Sequence, residues 1–340
     1  MENKTSTGAP VVGAPAGNGD SPKGKAGSSG LDRKNPKKGI GGRLWRNRYL
    51  YLMLLPAVVY VVIFSYIPMG GIILAFKNLN YVKGFLGSPW VGMQNFKFLF
   101  MSNKLWFLTR NTILYNLAFI AVGMFLEVGF AIIISELGRK MFKKVFQSLM
   151  FLPYFISWVV VTAIVQALFS YEFGLVNNIL AAIGLNRVNI YASAGIWPYL
   201  LVMFRAWKNT GYGSVVYLAT VTGIDQQMYD AASIDGASIW QRIRYITIPC
   251  LVPTMVIMFM LALGQVFRGD FGLFYQLVKD NAMILPTTDI LDLFIYRALS
   301  ATSNIGQASA AGFYQSVLCF ITISTVNFII RKTQPDYALY

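Results

Sequence analysis

Few residues in this chain are placed to do chemistry. Histidine is absent from all 340 positions, which removes the commonest general base and metal ligand at once. The two cysteines, Cys250 and Cys319, lie in apolar runs and give neither a disulfide framework nor a metal-ligand spacing. No Gly-rich phosphate loop with its Lys-Ser/Thr occurs, so the chain is not expected to hydrolyse ATP itself. What remains is a handful of charges inside long apolar stretches, namely Glu127, Arg205, Lys208 and Arg268. Charge at membrane depth is costly and usually faces a protein interior or a water-filled path. For Arg205 and Lys208, path lining and helix–helix contact both fit. Glu127 is the only acid deep in an apolar run, a thin basis for an ion-coupled carrier, because coupling ions usually need more than one such group. A membrane enzyme would need a nucleophile motif or a ligand cluster, and the sequence offers neither.

The elements that must position these charges follow from composition. The chain is 56% hydrophobic and 13% charged, whereas soluble domains run to about half apolar and a quarter charged. This is the composition of an integral membrane protein. Apolar runs of spanning length occur near 49–72, 113–135, 149–169, 196–220, 251–268 and 311–330. The expected fold is therefore all-α with six transmembrane helices. The fourth run is irregular. It is apolar over 196–204, polar through Arg205, Lys208, Asn209 and Thr210 to Gly211, and apolar again from Val215, the pattern of a broken helix. No repeat of fixed period is present.

Orientation is read from Lys and Arg close to the span ends. Arg43, Arg46 and Arg48 precede the first run, and Arg139, Lys140, Lys143 and Lys144 fill the loop after the second. Arg242 and Arg244 lie between the fourth and fifth, and Arg331 and Lys332 follow the sixth. All four clusters share one side if there are six spans, which makes that side and both termini cytoplasmic. Residues 77–110 weaken the signal, with Lys77, Lys83, Lys97, Lys104 and Arg110 in an outside loop, but the basic amino terminus and the short loop outvote them. Trp90, Trp106 and Trp197, in or beside the outside loops 77–110, 170–195 and 269–306, are read as interfacial anchors. The net charge is +15, and residues 1–48 hold ten Lys or Arg against three acids. Residues 1–45 are expected to be a disordered basic tail held near anionic lipid, not a nucleic-acid binder. The apolar run after the tail is read as a retained anchor and not a cleaved signal.

One segment does not belong to the membrane pattern. Residues 229–253 are polar, rich in small residues, and set between two apolar runs. Asp225 is placed to cap a short helix, with Ile224 and Tyr229 as a hydrophobic staple. Gly236 stands where that helix must end, and Ser238 with Gln241 makes a capping box for a second helix. Ala231, Ala232 and Ala237 leave little side chain near the turn, so another surface can approach the backbone. Pro249 and Pro253 punctuate the return to the membrane. An amphipathic loop can simply lie on lipid headgroups, but two capped helices with small residues at the turn fit a protein-docking knob better.

This segment resembles the Glu-Ala-Ala loop of binding-protein-dependent ABC importer permeases. The pattern falls on Asp230, Ala231, Ala232, Gly236, Ile246, Ile248 and Pro249, with Asp230 in place of Glu and Ile248 in place of Leu. Asp235, Gly236 and Ala237 match the Asp-Gly-Ala of the sugar-importing branch. The resemblance extends over roughly 45–335, through Arg110-Asn-Thr112, Phe173-Gly-Leu-Val-Asn177 and Trp207-Lys-Asn-Thr-Gly211. Ile67-Pro-Met-Gly70, Ala75-Phe-Lys77 and Gly87-Ser-Pro-Trp-Val-Gly92 are similar to the subgroup handling complex oligosaccharides and polysaccharide fragments.

The resemblance implies the type I importer permease fold, with residues 224–249 as a cytoplasmic coupling loop between spans four and five. It implies a multi-pass subunit of the bacterial cytoplasmic membrane, paired with a second homologous permease. Two ATPase subunits would carry ATP and Mg, and an extracytoplasmic solute-binding protein would deliver an oligosaccharide. This chain would hold no cofactor of its own. Asp230, Ala231, Ala232, Asp235, Gly236, Ala237, Ile246 and Pro249 would couple to the ATPase and bind no sugar. For the sugar, aromatic faces and amide or charged groups in spans four to six are the candidates: Tyr199, Arg205, Gln265, Arg268, Tyr314 and Gln315. Each fits ordinary interhelical hydrogen bonding as well. Arg205, Lys208 and Arg268 would suit a uronate-containing sugar.

Overall fold

A computed structural model describes residues 47–101, 104–301 and 303–333. The basic tail predicted over 1–45 lies outside the described residues. Among those described, the protein is all-helical, with one antiparallel bridge between Lys77 and Trp90. Residues up to Val61 belong to one compact unit and residues from Val62 to a second. The described part of the first is helix α1, Arg48–Val61, a nearly uncharged segment with Pro56 inside it.

The second unit opens with a π turn at Val62–Tyr66 and a 3-10 segment at Gly70–Phe76. Its longer helices are α2 (Gln94–Met101), α3 (Lys104–Glu136), α4 (Lys140–Phe155), α5 (Trp158–Phe169), α6 (Leu175–Ala182) and α7 (Trp197–Thr222). They continue as α8 (Gln226–Ile234), α9 (Ile239–Arg242), α10 (Ile248–Leu263), α11 (Phe271–Val278), α12 (Leu291–Ser300) and α13 (Ile305–Thr333). Among the described residues, four runs are long and apolar enough to cross a membrane: Arg48–Phe76, Lys104–Glu136, Ile239–Leu263 and Ile305–Lys332. At 33 residues α3 is about 50 Å long, ample for a hydrocarbon layer of about 30 Å.

Two expectations need correction. The apolar run near 149–169 is not straight: α4 and α5 meet at 93°. Pro153 lies in the last turn of α4, and Ile156 and Ser157 are extended, with Ser157 then capping α5 through the Val160 N–H. The fourth run, read as broken, is instead one unbroken helix of 26 residues. Its hydroxyls fold back onto its own carbonyls: Thr210 Oγ1 donates to Ala206 O at 2.6 Å and Ser214 Oγ to Gly211 O at 2.8 Å. Polarity there costs apolar character, so α7 is not among the four apolar runs, but it costs no helix.

α3 and α7 form the most extensive helix pair. The largest core gathers Tyr115 and Phe119 of α3, Trp197, Leu201 and Phe204 of α7, and Leu273 and Phe274 of α11. A second core joins Ala75, Phe96, Leu105 and Leu108 to Phe294 of α12 and Ala310 and Ala311 of α13. The sequence motifs outside the coupling segment fold the chain. Asn111 Nδ2 donates to Asp289 O at 3.1 Å, and the Leu291 N–H donates to Thr112 Oγ1 at 3.1 Å, fixing the entry to α12 on α3. Asn177 closes its loop by donating to Ser170 O and Val188 O and accepting from the Val188 N–H. Buried Lys77 donates to Leu86 O at 2.9 Å and lies over the Trp90 ring.

Candidate coupling surface and substrate path

The hairpin at 224–249 is held by local hydrogen bonds at each boundary. Asp225 Oδ1 accepts from the Gln227 N–H at 2.9 Å and starts α8. Gly236, with φ at +76°, ends it in a Schellman motif: the Ala237 N–H donates to Ala232 O and the Gly236 N–H to Ser233 O. The Ser238–Gln241 capping box is reciprocal, with Ser238 N–H donating to Gln241 Oε1 at 2.7 Å and Gln241 N–H to Ser238 Oγ at 3.4 Å. The second helix is shorter than the spacing suggested. α9 has only four residues and runs through a π turn at Ile243–Thr247 directly into α10. A proline clashes with the carbonyl four residues before it, and the widened turn precedes Pro249.

The knob is fixed to the body and apolar on its face. Tyr229 Oη and Thr247 Oγ1 are 2.9 Å apart, tying α8 to the π turn. Arg242 bonds Ser233 Oγ across the turn at 3.2 Å and lies 3.9 Å from Glu136 at the end of α3. Asp230, Ala231, Asp235 and Gly236 are exposed, while Ala232, Ala237 and Ile246 are partly covered and Pro249 is exposed at the start of α10. Ile234 is 87% and Trp240 80% exposed, two large apolar side chains beside the turn. Sequence reasoning passed over both, although apolar residues flanking a capped turn were a signal for them. A rigid, apolar-tipped hairpin with small residues at its bend suits insertion into a protein cleft.

Two of the intramembrane charges are already matched. Lys208 is buried and donates to Tyr154 O at 2.6 Å and to Pro153 O at 3.3 Å, two carbonyls at the end of α4, the second of which also accepts from the Ile156 N–H. It also faces the Tyr154 and Trp158 rings, each at 5.4 Å. Gly211, one turn on, lets the α7 backbone touch the Met150 carbonyl of α4. The Trp207–Gly211 motif therefore braces the bend. Lys208→Met should lower stability by about 1–3 kcal/mol, chiefly for the Tyr154 carbonyl left without its donor, while Lys208→Arg retains most of it. Thermal unfolding in detergent reads this, and equal midpoints for Met and Lys would remove the bracing role. Arg205 lies over the Phe119 ring at 4.4 Å, 3.6 Å from Asp270, and interacts electrostatically with Glu127. Glu127 sits against Gly213 and shares with Arg205 a void of about 10 Å³, room for about one water.

The remaining path candidates separate. Arg268 and Gln315 line one open cavity of about 560 Å³ with Phe271, Asp292, Tyr296 and Ser316. Tyr199, Gln265 and Tyr314 are not among its lining residues. Tyr199 is exposed on α7, and Gln265 is exposed just past the end of α10. The Tyr314 hydroxyl lies 3.2 Å from Thr109 Oγ1 and its ring packs edge-on to Phe100, an interhelical contact. Within the cavity wall, Asp292 Oδ2 accepts from the Gly269 N–H at 2.6 Å and from Gln315 Nε2 at 3.1 Å. Burial pushes the Asp292 carboxyl up from its ordinary range, and these donors together with Arg268 oppose the shift. Asp292, Phe271 and Tyr296 carry no linear motif, and only packing unites them with Arg268. Among the described residues, no group of three or more Cys, Asp or Glu is placed to hold a metal.

Known proteins share this architecture. Residues 127–334 match the family described as the binding-protein-dependent transport system inner membrane component. Protein LplB of Bacillus subtilis (strain 168) is 30% identical over 301 residues, 88% of this chain and 94% of its own. The polygalacturonan/rhamnogalacturonan transport system permease protein YteP of the same organism is 29% identical over 88% of this chain and 93% of its own. Among solved structures, a bacterial ABC transporter involved in the import of the acidic polysaccharide alginate has a chain 31% identical, with a TM-score of 0.79 over 86% of this chain and 99% of that one. A second, the alginate transporter in complex with its alginate pentasaccharide-bound periplasmic protein, gives a TM-score of 0.78 at 30% identity. With the capped hairpin, the α3–α7 spine and these likenesses in hand, the chain belongs to the binding-protein-dependent transport system inner membrane components, as a non-enzymatic permease subunit with the type I ABC permease fold.

Proposed function

We propose that this chain is the membrane permease of an ATP-driven importer of oligosaccharides or polysaccharide fragments, acidic ones included. The observation that carries the reading is the preformed hairpin at 224–249, whose exposed apolar tip has no role in folding this chain. Six spans cross the bacterial cytoplasmic membrane, counting α4–α5 as one and α7 as another, with both termini and the hairpin cytoplasmic. α7 becomes tolerable in lipid because Lys208 is hydrogen-bonded to carbonyls of α4 and Arg205 is ion-paired with Asp270. A second permease completes the path, and two ATPase subunits bind ATP and Mg below. The hairpin residues Asp230, Ala231, Ala232, Asp235, Gly236, Ala237, Ile246 and Pro249 seat in one ATPase cleft. Nucleotide-driven closure then moves the spans as rigid bodies between packed states. An extracytoplasmic binding protein hands over the sugar, as in the pentasaccharide-bound complex of the alginate transporter. The path residues are Arg205, Arg268 and Gln315, with Tyr199 and Tyr314 on the flanking helices and Gln265 just past the end of α10.

The test is reconstitution. Tagged chain expressed with its neighbouring genes should retain an ATPase and a second permease through purification. Proteoliposomes should then accumulate oligosaccharide only with ATP and the binding protein present. Uptake by this chain alone under an ion gradient would refute the reading.

A further inference from the structure

The cavity beside α12 combines the groups that a charged sugar requires. Its wall carries two charged side chains, Arg268 and Asp292. Asp292 is engaged by the Gly269 N–H and by Gln315. Arg268 is exposed, and among the described residues its guanidinium has no hydrogen bond, ion pair or ring partner. It feels the Asp292 carboxylate electrostatically but no group bonds it directly, which leaves its donors open to the cavity.

The opposite requirement, an apolar platform, is met by three rings. Phe271 stacks on Tyr275 at 5.1 Å and 12°, and Tyr296 closes on both at 5.1 and 4.8 Å. The Tyr296 hydroxyl donates to that of Tyr275 at 3.2 Å, which fixes the trio in one arrangement. Phe271 and Tyr296 face the cavity. Ser309 and Ser316 of α13 add hydroxyls to the same wall. At about 560 Å³ the space falls in the range of small-molecule sites and holds a few sugar rings.

We infer that this cavity is a uronate subsite in which Arg268 pairs with the sugar carboxylate while Phe271 and Tyr296 pack against the ring. Guanidinium binds carboxylate through two parallel N–H donors, which sets orientation as well as attraction. Neutral sugars gain the ring contact and the wall's hydroxyls but no ion pair. The subsite therefore discriminates by charge at the permease itself, downstream of any choice made by the binding protein. This deepens the importer reading and rests on it, taking 269–306 as the extracytoplasmic loop.

The decisive experiment uses the complete importer in proteoliposomes with two probes, a tri-galacturonate and its fully methyl-esterified form. The esters keep size and ring contacts but remove the charge. Wild type should favour the acid, and Arg268→Gln should lower the acid-to-ester uptake ratio about tenfold, the worth of one charge-assisted pair. Ser316→Asp, which sets a carboxylate in the same cavity, should lower it in the same direction and guards against a trivial defect at Arg268. An unchanged ratio in both variants overturns the subsite while leaving the importer intact. Wild-type uptake of neither probe, with ATP-driven uptake of another oligosaccharide intact, overturns the subsite, and loss of all oligosaccharide uptake overturns the importer reading with it.

Discussion

Gly236→Val should abolish ATP-driven uptake and strip the ATPase from the purified complex, while the permease still inserts. Gly236 holds φ at +76°, a conformation that a β-branched residue adopts at a cost of about 1–3 kcal/mol. Holding the Schellman turn against that cost loosens the bonds from Ala237 to Ala232 and from Gly236 to Ser233. A Cβ added at Gly236 meets nothing within 4 Å among the described residues. The Cβ position is open, so crowding there is expected against a partner, and the membrane-embedded core is untouched. Gly236→Asn separates the two effects, because asparagine tolerates the left-handed region. Its hairpin should fold, so any remaining defect reports crowding in the ATPase cleft. Vesicle uptake with ATPase retention on the tagged permease measures both. Wild-type uptake by the valine variant would remove the hairpin from coupling.

Gly211→Leu should fail differently, at assembly. A side chain at Gly211 would run into the Met150 carbonyl and the Phe151 amide, backbone atoms that cannot rotate away. α7 must then lift off α4, drawing Lys208 from the Tyr154 and Pro153 carbonyls it serves. Overpacking of this kind costs about 3 kcal/mol, before the loss of those bonds. The expected result is a sharply lower yield of folded permease and a lower unfolding midpoint in detergent, with Gly211→Ala showing a smaller drop. Wild-type stability of the leucine variant would mean that the two helices are not in backbone contact.

These two glycines mark what could and could not be read in advance. The turn at Gly236 was legible because its determinants lie within a few residues: Asp225, Ser238 and Gln241 bond backbone groups two or three positions away. The polar patch at 205–211 was misread as a break because its partners are distant in sequence. Lys208 answers to Pro153, 55 positions earlier, and nothing near Lys208 announces that. Hydropathy likewise registers the run at 149–169 as apolar but is blind to direction, so the 93° turn after Pro153 passed unseen. The cavity is the extreme case. Arg268, Asp292 and Gln315 come from three separate segments, and only their packing makes a wall.

By itself the sequence determined that this is a multi-span helical membrane protein and that residues 224–249 form a capped hairpin beside the spans. Both follow from short-range physics, the solvation of apolar runs in lipid and the satisfaction of backbone groups by near neighbours. Tertiary structure alone decided which of the charges are bonded directly and which one faces the cavity. Matching depends on where α3, α4, α7 and α12 place their side chains against one another, and that placement is set by close packing between segments far apart in the chain. Lys208 became scaffold on that account, Arg205 is ion-paired with Asp270, and Arg268 was left facing the cavity.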